Sequence, residues 1–490
     1  MGKGSLKINA VLNIIKTVAI LLFPLITFPV VSIALGPENV GKVDFSNSFI
    51  SYFTLIASLG ISAYAIRECS VLRHDREKLS KVASEIFSIN IITTVIAYAL
   101  LALAFVIYKK IGDYRLLILI SSTTLLFSTF GCDWINYACE EYLFVTIRTI
   151  VLKLIYVVLV VVFVKTPEQT VLYMILNVAV NNIVALSNVF FRGKLCKIRF
   201  TFHLNLKTHL KPVMILFAMQ ISESVLNNLD ITMLGFLEND YVVGLYGFAF
   251  KIKMMMAQLL YAVIVVFVPK CSLSYAEQNY ESFNYYFKRA VQFILNVFLP
   301  AIVGLALVAP QVVYIFGGGK FNEAIPYLRI LSVSLIIASF GTYLVGNLFL
   351  LPAKKEIRYL VASVAGMIAN IILNVIMIPM LGGLAAAITT CISEAVIFTC
   401  MLWRFDRNVR IDRFAATVIK SAVSIGLMVL FYFLISAVDI NYWVKLGIIV
   451  VGCAIVYYAT LLVLRDEFVL ENVRSFGKRF SQHFGKGKDR

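Results

Sequence analysis

Long apolar segments follow one another along almost the whole chain and alternate with short polar connections. A helix that crosses a bilayer needs about 20 consecutive, mostly apolar residues, and windows of that length predict about fourteen spanning helices, which we number in chain order. These spans lie near residues 11–35, 44–66, 84–108, 114–135, 143–164, 170–191, 212–237, 242–268, 286–309, 325–350, 358–380, 383–403, 414–436 and 442–464.

A stripe of polar side chains interrupts the apolar pattern of span 7. At roughly 100° per residue, spacings of three, four and three place its members within about 80° of each other around the helix. An acidic side chain near the middle of a membrane costs about 2.5–3.5 kcal/mol, so we expect this face to contact water or a polar substrate. The stripe consists of Gln220, Glu223, Asn227 and Asp230.

Composition and charge support a polytopic membrane protein. The 490 residues are 60% hydrophobic and 14% charged, with a mean hydropathy of +0.89, which excludes a soluble domain of this length. The net charge of +17 reflects loop residues. With a cytoplasmic N-terminus, about 31 of the 44 Lys and Arg residues fall in cytoplasmic segments. We therefore expect both termini in the cytoplasm and no nucleic-acid partner.

Lysine side chains inside predicted spans are candidates for binding an anion. Lys251 and Lys253 in span 8 are about 200° apart and cannot face one cavity. We choose Lys251, because small residues and Phe248 precede it on its face. Lys16 lies near the cytoplasmic end of span 1, where either a cavity or lipid headgroups would accept it. Lys153, a few turns into span 5, reaches headgroups less easily.

Acidic residues at or within the other spans have simpler interpretations. Asp44 begins span 2 and is explained by an ordinary acid at a helix N-terminus. Asp133 closes span 4 and is interpreted as an interface anchor. Glu394 lies in the middle of span 12, where it either lines a cavity or pairs with a base such as Lys420.

Asparagine pairs one helical turn apart occur in two spans. Asn177 and Asn181 lie in span 6, and Asn370 and Asn374 lie in span 11. Hydrogen bonds between helices are the usual role of such pairs. Asn177 and Asn181 are in addition candidates for contact with a polar substrate.

A short motif recurs with an offset of about 203 residues, which corresponds to six spans. Val40-Gly41 followed by Phe45 leads into span 2, and Val243-Gly244 followed by Phe248 leads into span 8. An even number of spans keeps the two copies parallel in the membrane. The predicted organisation is an all-α polytopic protein with two pseudo-symmetric six-helix lobes, at 1–205 and 206–405. Two extra helices follow at 406–464, and a basic cytoplasmic tail follows at 465–490.

Motifs for covalent chemistry or for a bound metal are not recognised in the sequence. Gly317–Lys320 lacks the spacing and the following Ser or Thr of a phosphate-binding loop. The four histidines lack metal-ligand spacing, and the eight cysteines include no CxxC pair. We therefore predict neither an enzyme nor a metal site.

Three sets of stretches share features with a known family: Val40–Val43 with Ser51–Phe53, Leu59–Ser62 with Ala65–Glu68, and Asn228–Asp230 through Gly244–Tyr246 to Ala249–Lys251. They resemble the oligosaccharide flippases of the polysaccharide transporter family, which share a superfamily with multidrug antiporters and the lipid II flippase. The resemblance covers most of the chain and is strongest over about 10–270 and again near Glu394.

The resemblance implies two lobes around a central cavity that opens alternately to each side of a bacterial inner membrane. The implied substrate is a polyprenyl-diphosphate-linked oligosaccharide used to assemble O-antigen or capsule. Membrane lipids, a glycan polymerase and a chain-length regulator are the implied partners. No cofactor is implied beyond a coupling ion, H⁺ or Na⁺.

The chemistry of that substrate assigns roles to the polar residues inside the spans. A diphosphate requires cations, and sugars require hydrogen-bonding side chains. The diphosphate candidates are Lys16, Lys153 and Lys251; the sugar candidates are Asn177, Asn181, Gln220 and Asn227; and the ion-coupling candidates are Glu223, Asp230 and Glu394.

Two other functions remain open from the sequence. A drug or organic-cation antiporter on the same fold would favour an acidic, aromatic cavity, against which the lysines inside the spans argue. A membrane-embedded glycosyltransferase or glycan polymerase usually needs a sizeable loop to hold acceptor sugars, whereas every connection here is short.

Overall fold

The computed structural model describes residues 6–473, apart from 203, 404–405, 407–408 and 410–413. The described residues are 88% helical and form no β-strand. All eight cysteines are free thiols. Inside the helices, the side chains at 6–15, 17–18, 21, 109, 207–208, 211, 215–216, 218–219 and 222–223 lie outside the description.

Seventeen α-helices form the described part of the chain. Those of the first half are α1 Leu6–Ser58, α2 Ile61–Val71, α3 Arg76–Ile107, α4 Arg115–Gly131, α5 Trp134–Ala138, α6 Tyr142–Phe163, α7 Thr170–Arg192, α8 Leu206–Leu237 and α9 Asp240–Ala276. Those of the second half are α10 Tyr280–Phe293, α11 Leu299–Leu307, α12 Ala309–Gly317, α13 Ile325–Ala338, α14 Glu356–Leu381, α15 Gly383–Leu402, α16 Phe414–Ser436 and α17 Tyr442–Val463.

Twelve helical stretches of the described residues are long and apolar enough to cross a membrane. The first, Leu22–Val71, contains predicted span 2 and the second half of predicted span 1. Its helix α1 has one interruption, at Gly36, where φ is 75° and ψ is 173°. Helix α8, which has undescribed side chains, is not among the twelve. The all-α membrane fold is thus confirmed, and the count of fourteen stays a prediction.

Two π-helical segments interrupt the helices of the second half, at Ile294–Phe298 and Ser339–Leu350. The first precedes Pro300, which lacks a backbone N–H and so cannot continue a regular α-helical ladder. Asn296 in this segment is fully buried. It donates to Asp466 Oδ1 at 3.1 Å and accepts from Ser421 Oγ at 3.0 Å, which anchors both α16 and the segment after α17.

The described chain forms two compact units. Of the described residues, one unit comprises those within 6–251, 313–327 and 367–390, and the other comprises those within 252–312, 328–366 and 391–473. We call them unit 1 and unit 2 and describe each by itself. In unit 2, α16 and α17 pack together around Met428, Ile449 and Tyr457.

In unit 1, the two copies of the repeated motif contact each other. A Cβ atom added at Gly41 would overlap the carbonyl oxygen of Asp240, and one added at Gly244 would overlap that of Pro37. Gly41 and Gly244 are 203 positions apart, as are Pro37 and Asp240. The contact is therefore reciprocal: each glycine admits the backbone that precedes the other.

Aromatic rings surround this glycine contact. Phe45 and Phe248, which are equivalent positions of the motif, are both fully buried. Phe45 packs against Tyr114 with a centroid distance of 4.7 Å, and Phe248 stacks on Phe321 at 4.3 Å. Phe248 of α9 also packs against Phe28 of α1 with a centroid distance of 5.1 Å, so aromatic packing supports the contact between these two helices.

Substituting Gly41 with Ala is expected to lower the free energy of unfolding by about 1–3 kcal/mol, because the added methyl group meets backbone that has no rotamer with which to yield. The measurement is thermal unfolding of the purified protein in detergent. Gly426→Ala is the control, since a Cβ atom there has no neighbour within 4 Å. Equal stability of the two variants would contradict the reciprocal contact.

Candidate functional site

Asp230, from the polar stripe of α8, lies in a buried network of neutral hydrogen-bond donors. Its side chain is 3% exposed. Oδ1 accepts from Asn374 Nδ2 at 2.6 Å, while Oδ2 accepts from Tyr246 OH at 2.6 Å and from Thr390 Oγ1 at 2.5 Å. The carboxylate therefore joins α8 to α9, α14 and α15.

A second ring of polar groups supports the first. Asn374 Nδ2 also donates to Asn370 Oδ1 at 3.1 Å, and Thr389 donates to Asn374 Oδ1. The asparagine pair of span 11 thus bridges helices, as such pairs usually do. Asp230 forms no ion pair with a lysine or arginine among the described residues. A carboxylate with only neutral partners in a membrane needs a small cation or a proton to balance its charge.

Asp44 is a second buried acid of unit 1, and it does have a cationic partner. Lys251 Nζ donates to Asp44 Oδ1 at 2.5 Å and lies 5.6 Å from the centroid of the Phe28 ring. The interpretation of Asp44 as an ordinary helix N-terminal acid is wrong. Helix α1 continues through this position, so Asp44 lies in its interior and not at an end.

The ion pair forms where α1 and α9 approach each other closely. A Cβ atom at Gly247 would overlap Asp44 Oδ2, so α9 needs a glycine there. The same Oδ2 atom is buried and has no hydrogen-bond partner in the described part of the molecule. Asp44 is 5% exposed, whereas Lys251 is 36% exposed. Lys251 therefore supplies the hydrogen bond and the positive charge that stabilise this buried carboxylate.

Lys153 reaches the same region through two tyrosines. Its Nζ lies 5.5 Å from the centroid of the Tyr156 ring. The side chains of Tyr156 and Tyr173 hydrogen-bond to each other, and Tyr173 is within electrostatic range of Asp44. Two of the three predicted cations, Lys153 and Lys251, are thus connected through tyrosines and Asp44. We call these five residues the Asp44 cluster.

Lys16 has a different environment. Its Nζ donates to Tyr137 OH at 2.8 Å and lies 4.9 Å from the centroid of that ring. Nearby in sequence, Asp133 pairs with Arg148 through contacts of 3.2 and 3.3 Å. Asp133 is therefore more than an interface anchor. Sequence reasoning did not select Arg148, although an arginine inside a predicted span was a signal for it.

The remaining candidates of unit 1 are less engaged. Asn181 is exposed and donates to the carbonyl oxygen of Asn177 in its own helix. Gln220 and Asn227 are half-buried. The side chain of Glu223 lies outside the described residues.

Glu394 belongs to unit 2. It lies 3.5 Å from Thr342 Oγ1 and within electrostatic range of Lys253. Among the described residues, Glu394 forms no ion pair with Lys420, which donates to the carbonyl oxygen of Arg465. Lys253, which was not chosen for the substrate path, is the base that acts electrostatically on the acid of span 12.

An apolar cavity of about 480 Å³ lies among helices of unit 2. Its wall includes Pro300 and Gly304 of α11, Tyr432 of α16 and Tyr457 and Tyr458 of α17. Such a lining suits a hydrocarbon chain and not a sugar.

Comparison with known proteins connects this geometry to a family. The family model described as polysaccharide biosynthesis protein matches residues 6–273, which is more than half of the chain and includes Asp44, Asp230 and Lys251. The chain belongs to the polysaccharide biosynthesis protein family. This confirms the resemblance found in the sequence motifs.

One sequence relative and two solved structures each match more than three quarters of this chain. A protein of Escherichia coli K12 named "Putative O-antigen transporter" is 21% identical over 411 residues, or 83% of this chain and 98% of the relative. A lipid II flippase in an inward closed conformation has a TM-score of 0.72 at 14% identity, covering 94% of this chain and all of its own. An inward-facing MATE multidrug transporter of the MOP superfamily has a TM-score of 0.58 at 17% identity, covering 78% and 93%.

Removing one donor of the Asp230 network tests its contribution. In Tyr246→Phe, Asp230 Oδ2 loses a buried hydrogen bond to a charged acceptor, so we expect a loss of about 1.5–3 kcal/mol in the free energy of unfolding. Thermal unfolding in detergent measures it, with Tyr108→Phe, a tyrosine that is 52% exposed, as the matched control. A Tyr246→Phe protein as stable as this control would show that the bond contributes nothing.

Proposed function

We propose that this family member is a flippase that carries a polyprenyl-diphosphate-linked oligosaccharide from the cytoplasmic to the outer leaflet of a bacterial inner membrane. It works by alternating access, is coupled to an ion and breaks no covalent bond. The observation that carries the proposal is the Asp44 cluster, which presents two lysines inside membrane-spanning helices of a polysaccharide biosynthesis protein.

The headgroup of such a substrate matches the lysines of the cluster. A diphosphate in a membrane must be neutralised, and a charge-assisted hydrogen bond is roughly twice as strong as a neutral one. Lys251 is 36% exposed and has room to donate to a second acceptor. Lys153 and Lys16 extend the cationic path, while Gln220, Asn227, Asn177 and Asn181 would serve the sugars.

The lipid part of the substrate has a separate apolar environment. Polyprenyl chains are hydrocarbon and do not need polar partners, so they can remain in the bilayer while the headgroup crosses. The apolar cavity of unit 2 would accept part of such a chain. The names of an O-antigen transporter relative and a lipid II flippase of the same fold support this substrate class.

The Asp230 network supports the coupling of an ion to transport. Na⁺ is a hard cation that prefers carboxylate, amide and hydroxyl oxygens, which Asp230, Asn370, Asn374 and the two threonines supply. A proton on Asp230 would balance the same charge. Because four helices contribute to this network, occupancy by either ion would change how firmly those helices hold together. Glu223 and Glu394 remain further candidates for this role.

Surface polysaccharide in cells tests the function. Lys251→Gln is expected to reduce export about 10- to 150-fold, since a hydrogen bond to a charged group is worth about 1.5–3 kcal/mol. Lys42→Gln, on an exposed face of α1, is the matched control and should export normally. A gene deletion that leaves surface glycan intact and alters only drug tolerance would contradict the proposal in favour of a drug antiporter.

Ion dependence tests the coupling site. In vesicles that flip lipid-linked oligosaccharide, Asp230→Asn is expected to abolish stimulation by a Na⁺ or pH gradient, because the amide keeps the shape but has neither the negative charge that balances Na⁺ nor a group that takes up a proton. Asp113→Asn, at an exposed acid, is the control and should respond as the parent does. Full stimulation in Asp230→Asn would eliminate Asp230 as the coupling residue.

A further inference from the structure

Asp44 is a buried acid to which the proposed transport chemistry assigns no role. We propose that Asp44 is the counter-ion that the substrate's diphosphate displaces from Lys251, and that this exchange releases the contact between α1 and α9. The inference rests on the proposed function and deepens it. Asp44 acts through Lys251 and is therefore a positioning residue.

The two partners differ in what they can reach. Asp44 is 5% exposed. It is enclosed by its own helix α1, by Gly247 of α9 and by Tyr173 of α7. Lys251 is 36% exposed and contacts Asp44 through a single oxygen. A diphosphate has more charge and more acceptor oxygens than one carboxylate, so it competes well for an ammonium group. The lysine is the member of the pair that can change partners.

Loss of Lys251 would leave Asp44 in an unfavourable position. Its Oδ2 atom is already buried without a partner in the described structure, so Oδ1 and Lys251 carry the whole compensation of the charge. Breaking a buried ion pair by removing one partner is strongly destabilising, because the remaining charge is uncompensated. Asp44 can then be hydrated only if α1 and α9 separate. Binding of the diphosphate is thereby linked to opening.

The repeated motif shows that only one side of this contact carries charge. The two copies of the motif are offset by 203 residues. Ser48 in the first copy is therefore equivalent to Lys251 in the second, and Asp44 in the first is equivalent to Gly247 in the second. Ser48 Oγ bonds to the Asn228 carbonyl oxygen at 2.7 Å and to Thr232 Oγ1 at 2.6 Å. These neutral bonds do not involve an ammonium that phosphate could attract. The contact therefore has one side that responds to an anion and one that does not.

Accessibility of the contact to a thiol reagent tests the exchange. Val40, beside Gly41, is 3% exposed, so a Val40→Cys protein in nanodiscs should react slowly with a polar maleimide. Reactivity is measured as the difference from the parent without this cysteine. Inorganic pyrophosphate, with sulfate as the control anion, is the probe. We expect pyrophosphate to increase the labelling rate at least about tenfold, which corresponds to about 1.4 kcal/mol.

Variants of the pair separate charge exchange from loss of structure. Asp44→Asn and Lys251→Gln, each in the Val40→Cys background, should label at least about tenfold faster and should no longer respond to pyrophosphate. The double variant has no buried charge and should return to slow labelling, still without a response. Glu38→Gln breaks the exposed pair with Lys42 on the same helix and should behave as the parent does.

The outcomes distinguish this inference from the proposed function. Slow labelling of Asp44→Asn, a preserved pyrophosphate response in that variant, or fast labelling of the double variant would each overturn the exchange. If any one of these results is obtained while the parent exports polysaccharide, the flippase function stands and the exchange of Asp44 for diphosphate is abandoned. If labelling responds as expected but the parent exports no polysaccharide, the exchange stands for another anionic substrate, and the proposed function fails.

Discussion

The need to compensate buried charge controls the organisation of unit 1. A lone ionised side chain is costly within a bilayer, so each acid inside the spans must find its partner on another helix. Asp44 on α1 pairs with Lys251 on α9. This ion pair requires the two helices to approach each other at three glycines, Gly41, Gly244 and Gly247. The glycine contact, the aromatic rings around it and the ion pair are therefore parts of one arrangement.

The two buried acids of unit 1 are compensated in chemically different ways. Asp44 is paired with a cation that belongs to the protein, so an anion can compete for that cation. Among the described residues, Asp230 receives only neutral hydrogen bonds, from Asn374, Tyr246 and Thr390. The proposed function uses this difference: an anionic substrate competes for Lys251, and a coupling ion binds at Asp230.

Sequence reasoning selected Asp230 and Lys251 from helical periodicity, and both have polar protein partners on other helices, while their contact with a substrate or an ion stays a prediction. It misjudged Asp44, because the span boundary fell at this residue, whereas α1 runs from Leu6 to Ser58 with one break at Gly36. It also offered Lys420 as a partner of Glu394, although Lys253 is the base that acts electrostatically on that acid and Lys420 donates to the carbonyl oxygen of Arg465. Partners on different helices cannot be found from spacing within one helix.

The sequence by itself determined the membrane class, the approximate spans, the family and the repeated Val-Gly motif, since these depend on local composition, helical period and internal similarity. Only the tertiary structure decided that the two motif copies touch, that Asp44 meets Lys251, and that Tyr246 and Asn374 converge on Asp230. These contacts join residues from about 16 to about 207 positions apart, and the packing of helices sets their distances.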